Sequence, residues 1–300
     1  MNLTQAYYEQ KFEIAFRSAN GEQFQTLFER LMGTAYKADF MACRPWGNRG
    51  DRKNDGFLKS ERCLFQVYAP NEMTETRAII KINEDFEGAL EHWSKHFDKW
   101  VFAHNAVHGL PPHVLKVLLD FEKAHTGITL EPWGLEEFRE IFRKIDLVDL
   151  QSWFGSAPTE ETKAALGYPD LKIVLESLSQ QNSPSASEIR DVPMGKIQAN
   201  ALSESVATLL KAGMSKTPLV EGFFAQWHDE TLGEKMAEAF KSKYLKLREN
   251  FLPNDIFAEL QTWAAGDTRK SPEHEVAVLA VIAYFFESCD IFEAPKGSGL

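Results

Sequence analysis

GDRKNDGFLKSERCLFQVYAP, residues 50–70, decides how the first half of this chain folds. Asp55-Gly56 opens one short strand candidate, and Gln66-Val67-Tyr68 lies in the next. Alternate residues of a strand share a face, so Gln66 and Tyr68 project together and can meet Asp55 across a hairpin. The spacing makes a small polar site at a strand edge, suited to a divalent metal. The competing reading of Asp55 is an Asp-Gly turn, the commonest use of that dipeptide. Arg44, Arg49, Arg52 and Lys53 surround the same loop, either as a solvated stretch or as a basic rim able to contact phosphate.

Outward from this hairpin, the periodicity sets the neighbours. Phe24, Leu27, Phe28 and Leu31 fall at helical spacing and predict a helix over 21–32. Strand candidates follow at 39–44, 55–59 and 62–69. Ile79, Ile82, Phe86, Leu90 and Trp93 step by three and four, predicting a second helix over 74–93. A strand at 100–104, a helix at 112–124, a strand at 127–131 and a helix at 135–154 complete the half. Helical crossovers between strands imply a mixed sheet flanked by helices.

The Asp-Gly strand, the Gln66-Val67-Tyr68 strand and this element order over residues 15–155 resemble the divergent, Mrr-like branch of the PD-(D/E)xK nuclease superfamily. The resemblance implies a restriction-endonuclease-like fold and a Mg²⁺- or Mn²⁺-dependent attack on DNA. It implies a metal shell of Asp55, Gln66 and the backbone carbonyl of Val67, with Arg44, Arg49, Arg52 and Lys53 on the nucleic acid. Such nucleases also take an acid from the first helix. Gln25 stands at that position here, so Glu22 or, deeper in the helix, Glu29 is the candidate substitute; the competing reading of each is an ordinary solvated helix residue. Tyr68 stands where the family's strand carries Lys. It donates a hydrogen bond but brings no positive charge to a developing phosphorane. Lys81, on the following helix, is then the candidate catalytic cation; its alternative is an i,i+4 pair with Asp85.

The second half reads as all α-helix. Residues 177–193, SLSQQNSPSASEIRDVP, lack an apolar period and read as an exposed linker. Helices are expected at 202–210, 219–227, 232–247, 253–263 and 275–286. The last is apolar nearly all round and belongs in a core or an interface. KIQAN at 196–200, YLKL at 244–247 and AYFFESCDIFEAP at 283–295 resemble the C-terminal helical domain of effectors of prokaryotic ABC-three-component antiviral systems. That resemblance implies an SMC-like ABC ATPase and a small middle component as partners. The expected domains are 1–157, nuclease-like; 158–195, helix and linker; and 196–300, a helical module that docks a partner or forms a homo-oligomer.

Composition bounds the rest. With 44% hydrophobic residues, seven Trp and twenty-two Phe, the 300 residues are globular, and their length suggests two cores. A formal charge of −11 argues against coating nucleic acid nonspecifically, which needs many Lys and Arg. Three Cys without a CxxC indicate neither a disulfide framework nor a zinc site, so reduced, cytoplasmic thiols are expected. No run is long enough to span a bilayer, and no GxxxxGK[ST] loop supplies an ATPase site. Three functions compete: a metal-dependent DNA nuclease under ATPase control, a degraded nuclease core that grips DNA without cutting, and a structural adaptor.

Overall fold

Strand β3 (Cys63–Tyr68) organises the first half because its alternating side chains build cores on both faces of a sheet. A computed structural model describes residues 1–43, 53–181, 195–229, 231–266, 271–288 and 290–294. Arg44, Arg49, Asp51 and Arg52 lie outside them. Contacts divide the chain into two compact units, residues 12–150 and residues 1–11 with 151–300.

In the first unit β1 (Phe40–Ala42), β2 (Gly56–Leu58), β3, β4 (Lys99–His104) and β5 (Thr129–Trp133) lie side by side in chain order. The first three are antiparallel, whereas β3, β4 and β5 are parallel. Parallel neighbours require crossovers, supplied by α3 (Glu75–Trp93) and α4 (Pro112–Ala124). Leu64 and Tyr68 of β3, with Trp100 and Phe102 of β4, pack against Ile82, Phe86 and Ala89 of α3 and Val114 and Leu118 of α4. Phe65 points the other way, 5.5 Å from the ring of Phe28 and 5.1 Å from that of Trp133. On that face α2 (Gly21–Tyr36) and α5 (Leu135–Phe142) contribute Phe24, Phe28 and Phe138, joined by Phe12 and Phe16 from α1 (Leu3–Ser18).

The helix expected over 135–154 is two, α5 and α6 (Leu147–Phe154). Lys144 and Ile145 donate to carbonyls three residues back, those of Ile141 and Phe142, and this tighter winding ends α5.

The second unit is helical. It contains α7 (Glu160–Ala165), α8 (Tyr168–Gln181), α9 (Lys196–Ala199), α10 (Glu204–Met214), α11 (Thr217–Gln226), α12 (Leu232–Leu247), α13 (Pro253–Ala265) and α14 (Pro272–Glu287). Every residue of α14 from His274 to Phe286 is buried. Its surroundings are α7, α8, α10, α11 and α13, so its all-round apolar surface is satisfied within its own chain. At Gly213 of α10 an added Cβ would lie 2.3 Å from the Leu279 carbonyl oxygen, so the two backbones approach as only glycine permits.

The short motifs of this half meet beyond α14. Lys196, 2% exposed, donates to the carbonyls of Phe286 at 2.7 Å and Ile291 at 2.6 Å, with its Nζ 4.5 Å from the Phe286 ring centre. Asn200 donates to the Glu293 carbonyl at 2.8 Å and accepts the Glu293 N–H at 2.9 Å. KIQAN is thus the clamp for the chain's last described turn.

Two outcomes follow from this packing. Lys196→Met removes charged hydrogen bonds from two buried carbonyls and should cost about 3 kcal/mol in denaturant unfolding of the full chain; a loss below about 1 kcal/mol would reject the clamp. Burial also lowers the pKa of His104, at the end of β4, from 6.5 to about 4. The imidazole is then neutral in the folded protein while the unfolded chain protonates near pH 6.5. Stability is fully present above about pH 6.5 and is lost as pH falls towards 4, by roughly 2 kcal/mol at pH 5. Denaturant titrations should show this loss, and His104→Gln should abolish its slope whatever its own stability.

Candidate metal and phosphate site on the sheet

The β2–β3 register pairs Gly56 with Phe65, so Asp55 stands across from Gln66 on the face that α3 covers. Asp55 donates its backbone N–H to the Phe65 carbonyl at 2.9 Å. Its Oδ2 accepts from Gln66 Nε2 at 2.8 Å and from the Val67 N–H at 2.7 Å. Asp55 is 5% exposed and Gln66 3% exposed. A buried carboxylate needs donors, and this hairpin supplies two.

Asp55, Gln66 and Val67, the residues expected to share a metal shell, are therefore brought together. In this arrangement Gln66 presents its amide nitrogen to the carboxylate, and Val67 its N–H. The oxygen left over is Gln66 Oε1, buried and without a hydrogen-bond partner. Asn54 Oδ1, in a residue 2% exposed, is orphaned likewise. One carboxylate and unpartnered amide oxygens match the habit of Mg²⁺, which takes one or two carboxylates and completes its shell with water and phosphate. Turning the Gln66 amide would aim Oε1 at such an ion. Among the described residues no group of three or more His, Cys, Asp and Glu forms a denser cluster.

The cations converge elsewhere on the same face. Lys81 Nζ lies 3.0 and 2.9 Å from the two oxygens of Asp85, and Lys53 Nζ lies 2.8 Å from Asp85 Oδ1. The Asp85 carboxylate is fully buried, whereas each lysine side chain keeps about a third of its surface in solvent, 35% for Lys53 and 31% for Lys81. The expected i,i+4 partner of Lys81 is thus the centre of a buried three-residue charge cluster.

Two backbone features serve this placement. Lys53 has φ 62, a left-handed conformation that costs a residue with a Cβ about 1 kcal/mol. Its stem crosses α3 at Gly88, where an added Cβ would meet Lys53 Cγ at 2.6 Å. Glycine inside a helix costs about 1 kcal/mol relative to alanine.

The remaining expected residues are placed differently. Tyr68 shares the face of Gln66 but packs its partly buried ring against the apolar core, 5.8 Å from that of Phe102. Glu29, on α2, accepts from Gln25 at 3.4 Å. Its helix covers the opposite face of the sheet, beside Phe65. Asn54 and Gly88 are absent from the sequence-based expectations, and Asp85 enters them only as the i,i+4 partner of Lys81. The available signal was a glycine in the middle of an otherwise well-formed amphipathic helix, three residues after an acid that already had a lysine partner.

Neither the curated proteins nor the solved structures contain a significant match to the chain. Residues 169–293, within the helical unit, match the family model for C-terminal domain 10 of the ABC-three component (ABC-3C) systems, and on that match the chain is a component of such a system.

Proposed function

We propose that the chain is a metal-dependent DNA nuclease effector of an ABC-three component antiviral defence system, controlled by an SMC-like ABC ATPase. The observation that carries this reading is the meeting of Asp55 and Gln66 across β2 and β3, on the sheet face that also receives Lys53 and Lys81. A mixed five-stranded sheet with helices on both faces supports it as well.

Asp55 and the amide oxygen of Gln66 would hold Mg²⁺ or Mn²⁺, with the Val67 carbonyl as a further oxygen. When bound, the ion sharpens a water for attack and neutralises phosphoryl charge. The chain's own part is positional and electrostatic. The Val67 N–H fixes the Asp55 carboxylate, and the hairpin holds Gln66 against it. Lys81 brings positive charge to a phosphoryl oxygen, the role left open by Tyr68. Lys53, with Arg44, Arg49 and Arg52 from the loop outside the described residues, would contact the DNA backbone.

A second reading, DNA binding without cleavage, is favoured by Tyr68, whose ring packs against the core and supplies no cation. Plasmid cleavage decides between them. The purified protein, alone or with its partners, should nick or cut plasmid in Mg²⁺ or Mn²⁺ and not in EDTA. Asp55→Asn should reduce cleavage at least about 100-fold while shifting unfolding by no more than about 1 kcal/mol, since the amide oxygen still accepts hydrogen bonds. Unaltered cleavage by this variant would remove Asp55 from the site.

The partner reading rests on the matched C-terminal domain and on the lack of a phosphate-binding P-loop in this chain. Co-expression with the other components of its system should yield a complex whose plasmid cleavage responds to ATP. Cleavage indifferent to both ATP and the partners would reject the proposed control.

A further inference from the structure

We infer that Asp85 is a positioning residue, gathering Lys53 and Lys81 into one seat for a phosphate of the DNA backbone beside Asp55 and Gln66. The inference rests on the DNA-binding part of the function proposed above and not on cleavage.

The argument begins with the convergence of unfavourable local choices on a single placement. Lys53 adopts a left-handed backbone, Gly88 gives up helix propensity where the Lys53 stem crosses α3, and a carboxylate is fully buried to receive the ammonium. Strain of this kind is retained where surrounding structure holds it, and it concentrates at functional positions. A surface ion pair contributes too little to account for all three.

The layout of charge names the ligand class. Two ammonium groups reach one carboxylate. The anionic member is hidden and the cationic members are partly in solvent, so an approaching anion meets the lysines first. Each ammonium has three donors in a compact, strongly charged head, the chemistry with which lysine binds phosphate. In a chain of formal charge −11, such a cation pair stands apart from its background. Lys53 is also two residues before Asp55, the carboxylate expected to hold the metal.

The test is duplex-oligonucleotide binding by the full chain in EDTA, followed by fluorescence anisotropy across a salt series. Lys53→Met and Lys81→Met should each weaken binding about tenfold at low salt and reduce the salt slope by about one. Asp85→Asn separates positioning from simple charge. Neutralising a carboxylate beside two lysines should tighten binding if charge alone matters, whereas loss of the seat should weaken it about tenfold. Gly88→Ala leaves every charge in place and favours the helix, yet it should match Lys53→Met in binding without lowering the melting temperature. If circular dichroism shows that Asp85→Asn does not fold, Asp85→Glu and Gly88→Ala carry the decision.

Unchanged binding in both lysine variants, tighter binding in folded Asp85→Asn, wild-type binding by Gly88→Ala, or no duplex binding by the wild type would each overturn the seat. Plasmid cleavage by the wild type and Asp55→Asn, run in parallel, separates the two readings. Lysine-dependent binding without any cleavage rejects the nuclease alone. Asp55-dependent cleavage with binding indifferent to Lys53, Lys81 and Asp85 rejects the seat alone.

Discussion

Strand β3 is buried on both faces from Cys63 to Gln66: Phe65 enters one core and Leu64 the other, with the partly buried Tyr68 packed against it, so Gln66 between them is buried as well. That constraint sets the rest of the candidate site. A polar side chain in an apolar face needs a hydrogen-bond partner, and its neighbour across the antiparallel pair is the natural source. Asp55 fills that role and is itself buried by doing so, which in turn requires the second donor from the Val67 N–H. The two orphaned oxygens, on Asn54 and Gln66, are where this local satisfaction stops. An oxygen-seeking cation is the partner that would complete it.

Asp85 extends the same logic to charge. Burying a lone carboxylate is far more costly than burying an amide, and the cost falls when cations reach both oxygens. Lys81 does so from the same helix and Lys53 from the approach to β2, so the cluster ties the start of the hairpin to α3. Buried ion pairs are poor sources of net stability. Well-packed apolar residues would hold this seam as firmly and would not ask Lys53 for a left-handed backbone or α3 for an internal glycine.

Periodicity made the helices around the sheet legible, because Ile79, Ile82, Phe86 and Leu90 form an uninterrupted apolar stripe. The helix α1 escaped notice for the opposite reason: Glu9, Gln10 and Glu13 are buried beside Tyr7, Tyr8, Phe12 and Phe16, and polar residues on the inner face erase the stripe. The hairpin pairing of Asp55 with Gln66 was readable from alternation alone. Asp85 was not, since an i,i+4 Lys–Asp pair has the same spacing whether it lies in solvent or under a sheet. The apolar terminal helix was read correctly as a buried element, but its cover is its own bundle. An expectation of partner docking therefore has to rest on the matched C-terminal domain and not on an uncovered α14.

The departure at Tyr68 also looks different once the faces are assigned. A lysine at residue 68 would leave β3 on the same side as Gln66, towards α3 and α4. That direction runs along the core here, where the partly buried tyrosine ring packs near Phe102. Lys81 and Lys53 bring positive charge to this face from a helix and from the approach to β2, with side chains that keep about a third of their surface in solvent. On the proposed reading, the cation stands on the neighbouring helix and on the approach to β2 instead of on the strand itself. Asp85 then replaces the rigidity of the strand as the means of fixing where the charge stands.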